Sequence, residues 1–343
     1  MARLKGDQMN SRERVLKTLK FEKPDRTPRQ LWTLPGIEMF RKDELKTVRE
    51  KYPADIGTPA HRYGKGDRER GIRGAVNQWV DEWGCMRESK VSGVAGAIME
   101  CPIADWSALV KYQPPWEVLD NADFSKVNKS CAESDNFMLM PTKARPFTTM
   151  QLLCGMEKLY MGLAWGEKEV YKLRDMVHEY NLRVVTMCAG TDADGILLLD
   201  DWGSQQSLLI SPDIWREVFK PLYKDYCDII RGSGKYVFFH SDGHIEAIYP
   251  DFIELGVNAL NSQVFCMDME KLGSIYGGKI VFWGEMDRQH ILPFGTTDEV
   301  RAGVRKFADT LRFNDSGVIA QCEWGVNDPM ENILAFFDEW DRI

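Results

Sequence analysis

The run Gly195-Ile196-Leu197-Leu198-Leu199-Asp200-Asp201-Trp202-Gly203 decides how the chain reads. Its five leading residues suit a strand buried on both faces, and two carboxylates end it abruptly. On its N-terminal side lies a long helical region over 149–187, with a break expected at Trp165-Gly166. On its C-terminal side Ser211-Pro212 supplies an N-cap and a proline at the first helical position. Ile214, Val218, Leu222, Tyr226 and Ile230 then recur every four residues, which predicts a helix to Arg231.

The alternation continues to the C-terminus. Strands are expected over 236–239, 258–261, 279–283 and 318–321. Helices are expected over 245–255, with an interruption at Pro250, and over 267–275. Thr296 with Glu299 caps a helix to Leu311, and Asp328-Pro329 with Glu331 opens the last one. Strand and helix in turn argue for a parallel sheet covered by helices. The expected fold is α/β, a single (β/α)8 barrel spanning 1–343 with an N-terminal extension. That extension begins with a helix over 11–19, capped by Asn10 and Glu13. Beyond the prolines Pro24 and Pro28, the segment to Val94 is rich in Gly, Arg and Trp and shows no clear period.

Composition narrows the function classes. The chain has 343 residues, with 44 Lys+Arg against 52 Asp+Glu and a net charge of −8, so it lacks the basic footprint of a nucleic-acid binder. Hydrophobic residues at 44 % and charged residues at 28 % are those of a globular protein. Eight scattered cysteines do not form the framework of a small secreted domain, so reduced thiols are expected. No apolar stretch approaches the ~18 residues of a membrane span, and the N-terminus has no signal-peptide core. A cytoplasmic location is therefore expected.

In a barrel of this kind the reactive groups gather where the strands end. Five successive strand ends are polar here: Asp200-Asp201-Trp202, His240-Ser241-Asp242, Asn261-Ser262-Gln263, Trp283-Gly284-Glu285 and Cys322-Glu323-Trp324. His240, Asp242 and Cys322 are three donors competent for zinc. Read structurally, the same residues are a hydrogen-bonded histidine, a helix cap and a small buried hydrophobe. Glu285 and Glu323 are candidate acid/base groups or a further ligand, and Asp201 holds a substrate hydroxyl or orients His240. Trp32, Trp202, Trp283 and Trp324 either wall a pocket for a flat substrate or pack in the core. Motifs for dinucleotide binding, a P-loop or a zincin are absent.

Several blocks, in order, resemble the uroporphyrinogen decarboxylase-like superfamily, which includes corrinoid-dependent methyltransferases. They are Asn10 to Leu16, Phe21 to Pro28, Asp200-Asp201-Trp202-Gly203-Ser204-Gln205, Ile210-Ser211-Pro212, Phe219-Lys220-Pro221, Phe239 to Gly243, Leu255 to Asn261 and Glu331-Asn332-Ile333. The likeness covers nearly the whole chain and is weakest between Arg41 and Phe147. It implies a (β/α)8 barrel. In the methyltransferase branch zinc is held by a His-x-Cys pair and a later Cys. Here the pair reads His240-Ser241-Asp242, with Cys322 in a place similar to the later Cys, so the charge is kept while the site hardens towards oxygen.

The resemblance then implies a zinc-dependent enzyme that takes a methyl group from an aryl methyl ether and passes it to the corrinoid of a separate protein. Trp32, Trp202, Gln205, Trp283 and Trp324 would bind the substrate, and Glu285, Glu323 and Asp201 would serve the chemistry. No nucleic-acid or membrane partner is expected. The competing activity is decarboxylation of a porphyrinogen. Against it, the Arg-Gln-Ala-Gly-Arg-Tyr motif of the decarboxylases is here Arg29-Gln30-Leu31-Trp32-Thr33-Leu34. A binding barrel with no turnover is the third reading.

Overall fold

A computed structural model describes residues 9–73, 76–92 and 96–343. Among the described residues eleven strands run in chain order: β1 Arg29–Thr33, β2 Ile56–Gly57, β3 Asn77–Val80, β4 Met86–Ser89, β5 Ala97–Glu100, β6 Phe137–Pro141, β7 Gly195–Leu199, β8 Tyr236–Ser241, β9 Ala259–Ser262, β10 Val281–Trp283 and β11 Val318–Trp324. Eight of them form one sheet in the order β1-β11-β10-β9-β8-β7-β6-β2, every pairing parallel. The remaining seam lies between β1 and β2. There the Asp55 amide donates to Arg29 O (2.9 Å), and the Asp55 carboxylate accepts from the Arg29 amide (2.8 Å). The protein is therefore a (β/α)8 barrel, with helices around the sheet. β3, β4 and β5 form a separate antiparallel sheet in the excursion between β2 and β6.

Side chains alternate across each strand, so every other residue faces the barrel axis. The inner set contains Ile56, Phe137, Leu139, Leu197, Phe238, Ala259, Val281, Trp283 and Ile319. The outer set, packed under the helices, contains Ile196, Leu198, Val237, Phe239, Leu260, Phe282, Val318, Ala320, Cys322 and Trp324. This parity decides which polar residues reach the mouth.

Helix Ser11–Leu19 carries the expected capping box of Asn10 and Glu13. Val15 and Leu19 pack with the inner set, so the helix stoppers the N-terminal end of the barrel. Asp55, with no exposure, accepts there from Arg14, Arg26 and Ser11. The opening blocks of the sequence are thus structural and lie at the end away from the strand-end residues.

The long helical region is three helices, Pro146–Cys154, Met156–Trp165 and Lys168–Ala189, broken at Gly155 as well as at Gly166. The Ser211 hydroxyl accepts from the Ile214 amide, as its capping role requires. The following helix widens to a π-turn over Trp215–Phe219 just ahead of Pro221, a residue with no amide hydrogen to donate. Asp328 does not cap the last helix. Its carboxylate turns back to the Gly325 amide (2.6 Å), and helix Met330–Trp340 starts without a side-chain cap.

Candidate active site at the barrel mouth

Register places the first two members. His240 on β8 lies beside Asn261 on β9, both facing inward. Asn261 uses its amide nitrogen on Trp283 O and Gln321 Oε1, so its oxygen meets the imidazole, and His240 Nδ1 donates to Asn261 Oδ1 across 2.5 Å. The proton is thereby assigned to Nδ1. Nε2 is left to face the mouth, with Asp201 Oδ1 at 3.6 Å and Asp242 Oδ1 at 3.7 Å. Among the described residues, Asp201, His240 and Asp242 form a group whose ligand atoms all lie within 4.8 Å of one another.

Two glycines bring the carboxylates together. Gly203 follows β7 and Gly243 follows β8, and the loops touch backbone to backbone. A Cβ on Gly243, at φ +82°, would lie 2.2 Å from Gly203 C, and one on Gly203 would lie 2.5 Å from His244 N. The Gly203 amide donates to Asp242 O, and the Asp242 amide donates to Asp201 Oδ1 at 3.2 Å.

Arg288 is the cation of the mouth, and sequence reasoning missed it. Its Nη2 donates to Asp242 Oδ1 (2.6 Å), its Nη1 to Glu323, and its Nε lies 3.0 Å from Glu285 Oε2. Glu285 is 1 % exposed, and neither carboxyl oxygen has a well-aligned hydrogen bond. Burial pushes its pKa up to about 8. Arg288 pulls it down, but that charge is shared with Asp242 and Glu323, which with Asp201 push it up again. A pKa of about 8 favours the protonated form of Glu285 at neutral pH.

Neighbouring carboxylates in sequence separate completely. Asp200, one residue before Asp201, points out of the barrel and is 1 % exposed. It accepts from the Phe147 and Thr148 amides, the Thr148 hydroxyl and Tyr223 Oη, anchoring the start of helix Pro146–Cys154. Burial raises its pKa to about 6 against those four bonds.

The same parity corrects several expectations. Cys322 has no exposure and packs with the outer set beneath the helices, so it stands outside the Asp201, His240 and Asp242 group. Burial drives its thiol pKa well above the ordinary value. Trp202 is also an outer residue, stacked on Phe147 at 4.2 Å with Nε1 donating to Tyr223 Oη (3.2 Å). Trp324 lies under Arg41 and donates to Asp328 O. Trp283 faces inward but is fully buried below the mouth, donating to Gln30 Oε1. All three indoles are fully buried by packing and line neither cavity of the mouth.

Trp32 does reach the mouth. It is half-buried on β1 beside Glu323 of β11, and its ring sits 5.3 Å from His240. Gln205 also reaches it, donating to Gln263 Oε1 (2.8 Å), while Gln263 donates to Asp242 Oδ1 (3.0 Å). A cavity of about 270 Å³ is lined by Gln205, Gln263, Phe265, Cys266, Glu285 and Arg288. A wider cleft of about 710 Å³ opens on the other side of Arg288, lined by Glu323, Asp328, Phe40, Phe294 and Val326.

A metal of the kind the resemblance implies can be tested against these donors. One imidazole nitrogen directed into the mouth and two carboxylate oxygens make a coherent set for a divalent cation that accepts nitrogen and oxygen. A thiolate set is not available at this position.

The family model described as Uroporphyrinogen decarboxylase (URO-D) matches residues 132–343, and the chain belongs to that family. A solved structure described as a methyltransferase from Methanosarcina mazei has a TM-score of 0.70 at 15 % identity, covering 97 % of this chain and 99 % of that one. A glycosylated endo-β-1,4-xylanase of glycoside hydrolase family 10 from Gloeophyllum trabeum has a TM-score of 0.46 at 9 % identity, covering 94 % and 99 %. The curated proteins give no match. No helix among the described residues is long and apolar enough to cross a membrane.

Proposed function

We propose that this member of the uroporphyrinogen decarboxylase family is a methyltransferase, taking a methyl group from a small methyl ether on an aromatic carrier and passing it to the cobalt of a corrinoid held by a separate protein. The observation that carries the reading is the convergence, in one mouth, of three side chains with the donor set for a divalent cation, Asp201, His240 and Asp242, and a buried carboxyl, Glu285, whose pKa burial raises to about 8. The solved methyltransferase of the same fold supports it as a proposal.

Asp201, His240 and Asp242 would hold zinc, which when bound supplies a Lewis acid beside the ether oxygen. The chain's own residues account for the rest. Trp32 and Phe265 offer aromatic surface at the mouth and in the small cavity. As the C–O bond breaks, its electron pair stays on oxygen, and Glu285 gives its proton to that oxygen to release a neutral phenol. The methyl carbon leaves to the acceptor, and water then reprotonates Glu285. Asn261 keeps Nε2 of His240 aimed at the two carboxylates throughout.

Decarboxylation of a porphyrinogen fits less well. Its substrate carries many carboxylates, whereas four carboxyl groups already surround Arg288 and His240 here. Arg29, which opens the stretch resembling the decarboxylase motif, is 8 % exposed and pairs with Asp341 and the Tyr52 ring, leaving it outside the mouth. The test is a panel of methoxylated aromatics with free cob(I)alamin as acceptor, run beside uroporphyrinogen. Methylcobalamin formed with wild type and lost in Glu285→Gln supports the reading. Carbon dioxide release without methyl transfer overturns it.

A further inference from the structure

We infer that Arg288 is a latch on the cation site: it holds Asp242 while no cation is bound and gives that carboxylate up when one binds. The inference rests on the proposed role of Asp201, His240 and Asp242 as ligands. Its basis is that one oxygen has two claimants. Asp242 Oδ1 is the atom that faces His240 Nε2 at 3.7 Å, and the same atom accepts from Arg288 Nη2 at 2.6 Å. A divalent cation and a guanidinium on one carboxylate oxygen repel each other, so loading the site must loosen that contact.

Arg288 is built for such an exchange. Its three nitrogens meet three carboxyl groups from three segments: Nη2 meets Asp242 after β8, Nε meets Glu285 after β10, and Nη1 meets Glu323 on β11. Releasing Asp242 leaves the Glu323 carboxylate on Nη1, so the guanidinium is never stranded as an unpaired buried charge. A planar fork can hold three directions at once, whereas the single ammonium of a lysine cannot reproduce them. Gln263 also donates to Asp242 Oδ1, so the carboxylate stays oriented when Arg288 withdraws.

The exchange bears on access as well. Arg288 and Gln289 line both the cavity of about 270 Å³ that holds Glu285 and the cleft of about 710 Å³ on the Glu323 side. Loosening the Asp242 contact shifts the wall between them. Occupancy of the cation site would thus be coupled to passage between the chamber of the proton donor and the open cleft.

The experiment is zinc titration by calorimetry on the full chain, with thermal melting to confirm folding, for wild type, Arg288→Lys, Arg288→Met and His240→Ala. The latch predicts that Arg288→Lys binds zinc about tenfold tighter than wild type although its charge is kept, with Arg288→Met at least as tight. Equal affinity of wild type and Arg288→Lys overturns the latch and leaves the ligand assignment standing. Zinc uptake that is absent in wild type, or unchanged in His240→Ala, overturns both.

Discussion

His240 and Asn261 face each other from neighbouring strands, and the hydrogen bond from Nδ1 to Oδ1 fixes which imidazole nitrogen looks into the mouth. Replacing Asn261 by Leu keeps the branched shape and removes the acceptor, along with the donor to Trp283 O and Gln321 Oε1. Zinc affinity should fall roughly 10–100-fold, as for other partners that orient a ligating histidine. Calorimetric titration checks this, and an unchanged affinity would show that Trp32 alone fixes the ring.

Glu285 gives a pH signature with a definite sign. Its pKa is raised from 4.5 to about 8 in the folded chain, so between those values the native state holds a proton that the unfolded state has released. Stability from this group is full below pH 4.5 and is lost as pH rises through about 8. Glu285→Gln should flatten that slope, by on the order of a few kcal/mol across the window. Denaturant midpoints at several pH values read this out. The methyl-transfer rate of wild type should fall above pH 8, where the donor is ionised.

Cys322 and Asp242 should respond in opposite ways. Cys322→Ala removes a thiol packed beneath the helices, so it should cost about 1 kcal/mol of stability and leave zinc stoichiometry unchanged. Asp242→Asn should keep the melting temperature close to that of wild type and lose most of the bound zinc. Elemental analysis of both variants separates the two, and metal lost from Cys322→Ala alone would restore the thiolate reading.

The glycine contact can be tested by adding one methyl group. Gly243→Ala places a Cβ 2.2 Å from Gly203 C at φ +82°, so the loops after β7 and β8 must part. Zinc binding should be lost, with destabilisation of about 2–4 kcal/mol. Thermal melting and zinc titration would show both effects; a variant that keeps both would mean the loops accommodate the group without moving Asp201 from Asp242.

Two tryptophans divide structure from function. Trp202→Ala empties a fully buried site between Phe147, Trp215 and Phe219 and should cost about 3–5 kcal/mol. Trp32→Ala, at the mouth, should raise KM for an aromatic methyl donor several-fold with little change in stability. The comparison needs only melting curves and steady-state kinetics.

Much of the architecture could be read from the chain. The run from Gly195 to Leu199, the capped helices and the regular alternation after Phe147 are local features whose periods and caps are written in neighbouring residues, and they specify a barrel. The polar strand ends could be read for the same reason. The excursion carrying β3, β4 and β5 could not, because its strands are short and pair within themselves.

What the sequence alone could not determine is which of two adjacent residues enters the mouth. Asp200 and Asp201, or Cys322 and Glu323, are equivalent by composition and differ only in the face of the strand they occupy, and a shift of one residue in register exchanges them. Closure of the barrel sets that register, sending Asp201 and Glu323 inward and burying Asp200, Cys322, Trp202 and Trp324 under the helices. Arg288 lies in a loop without a period, and its carboxylate partners at Asp242 and Glu323 are 46 and 35 residues away, so only the folded chain brings them together. The sequence by itself determined the barrel and the chemical types at its mouth. Tertiary structure decided which of those residues meet, because facing and long-range pairing depend on how the sheet closes.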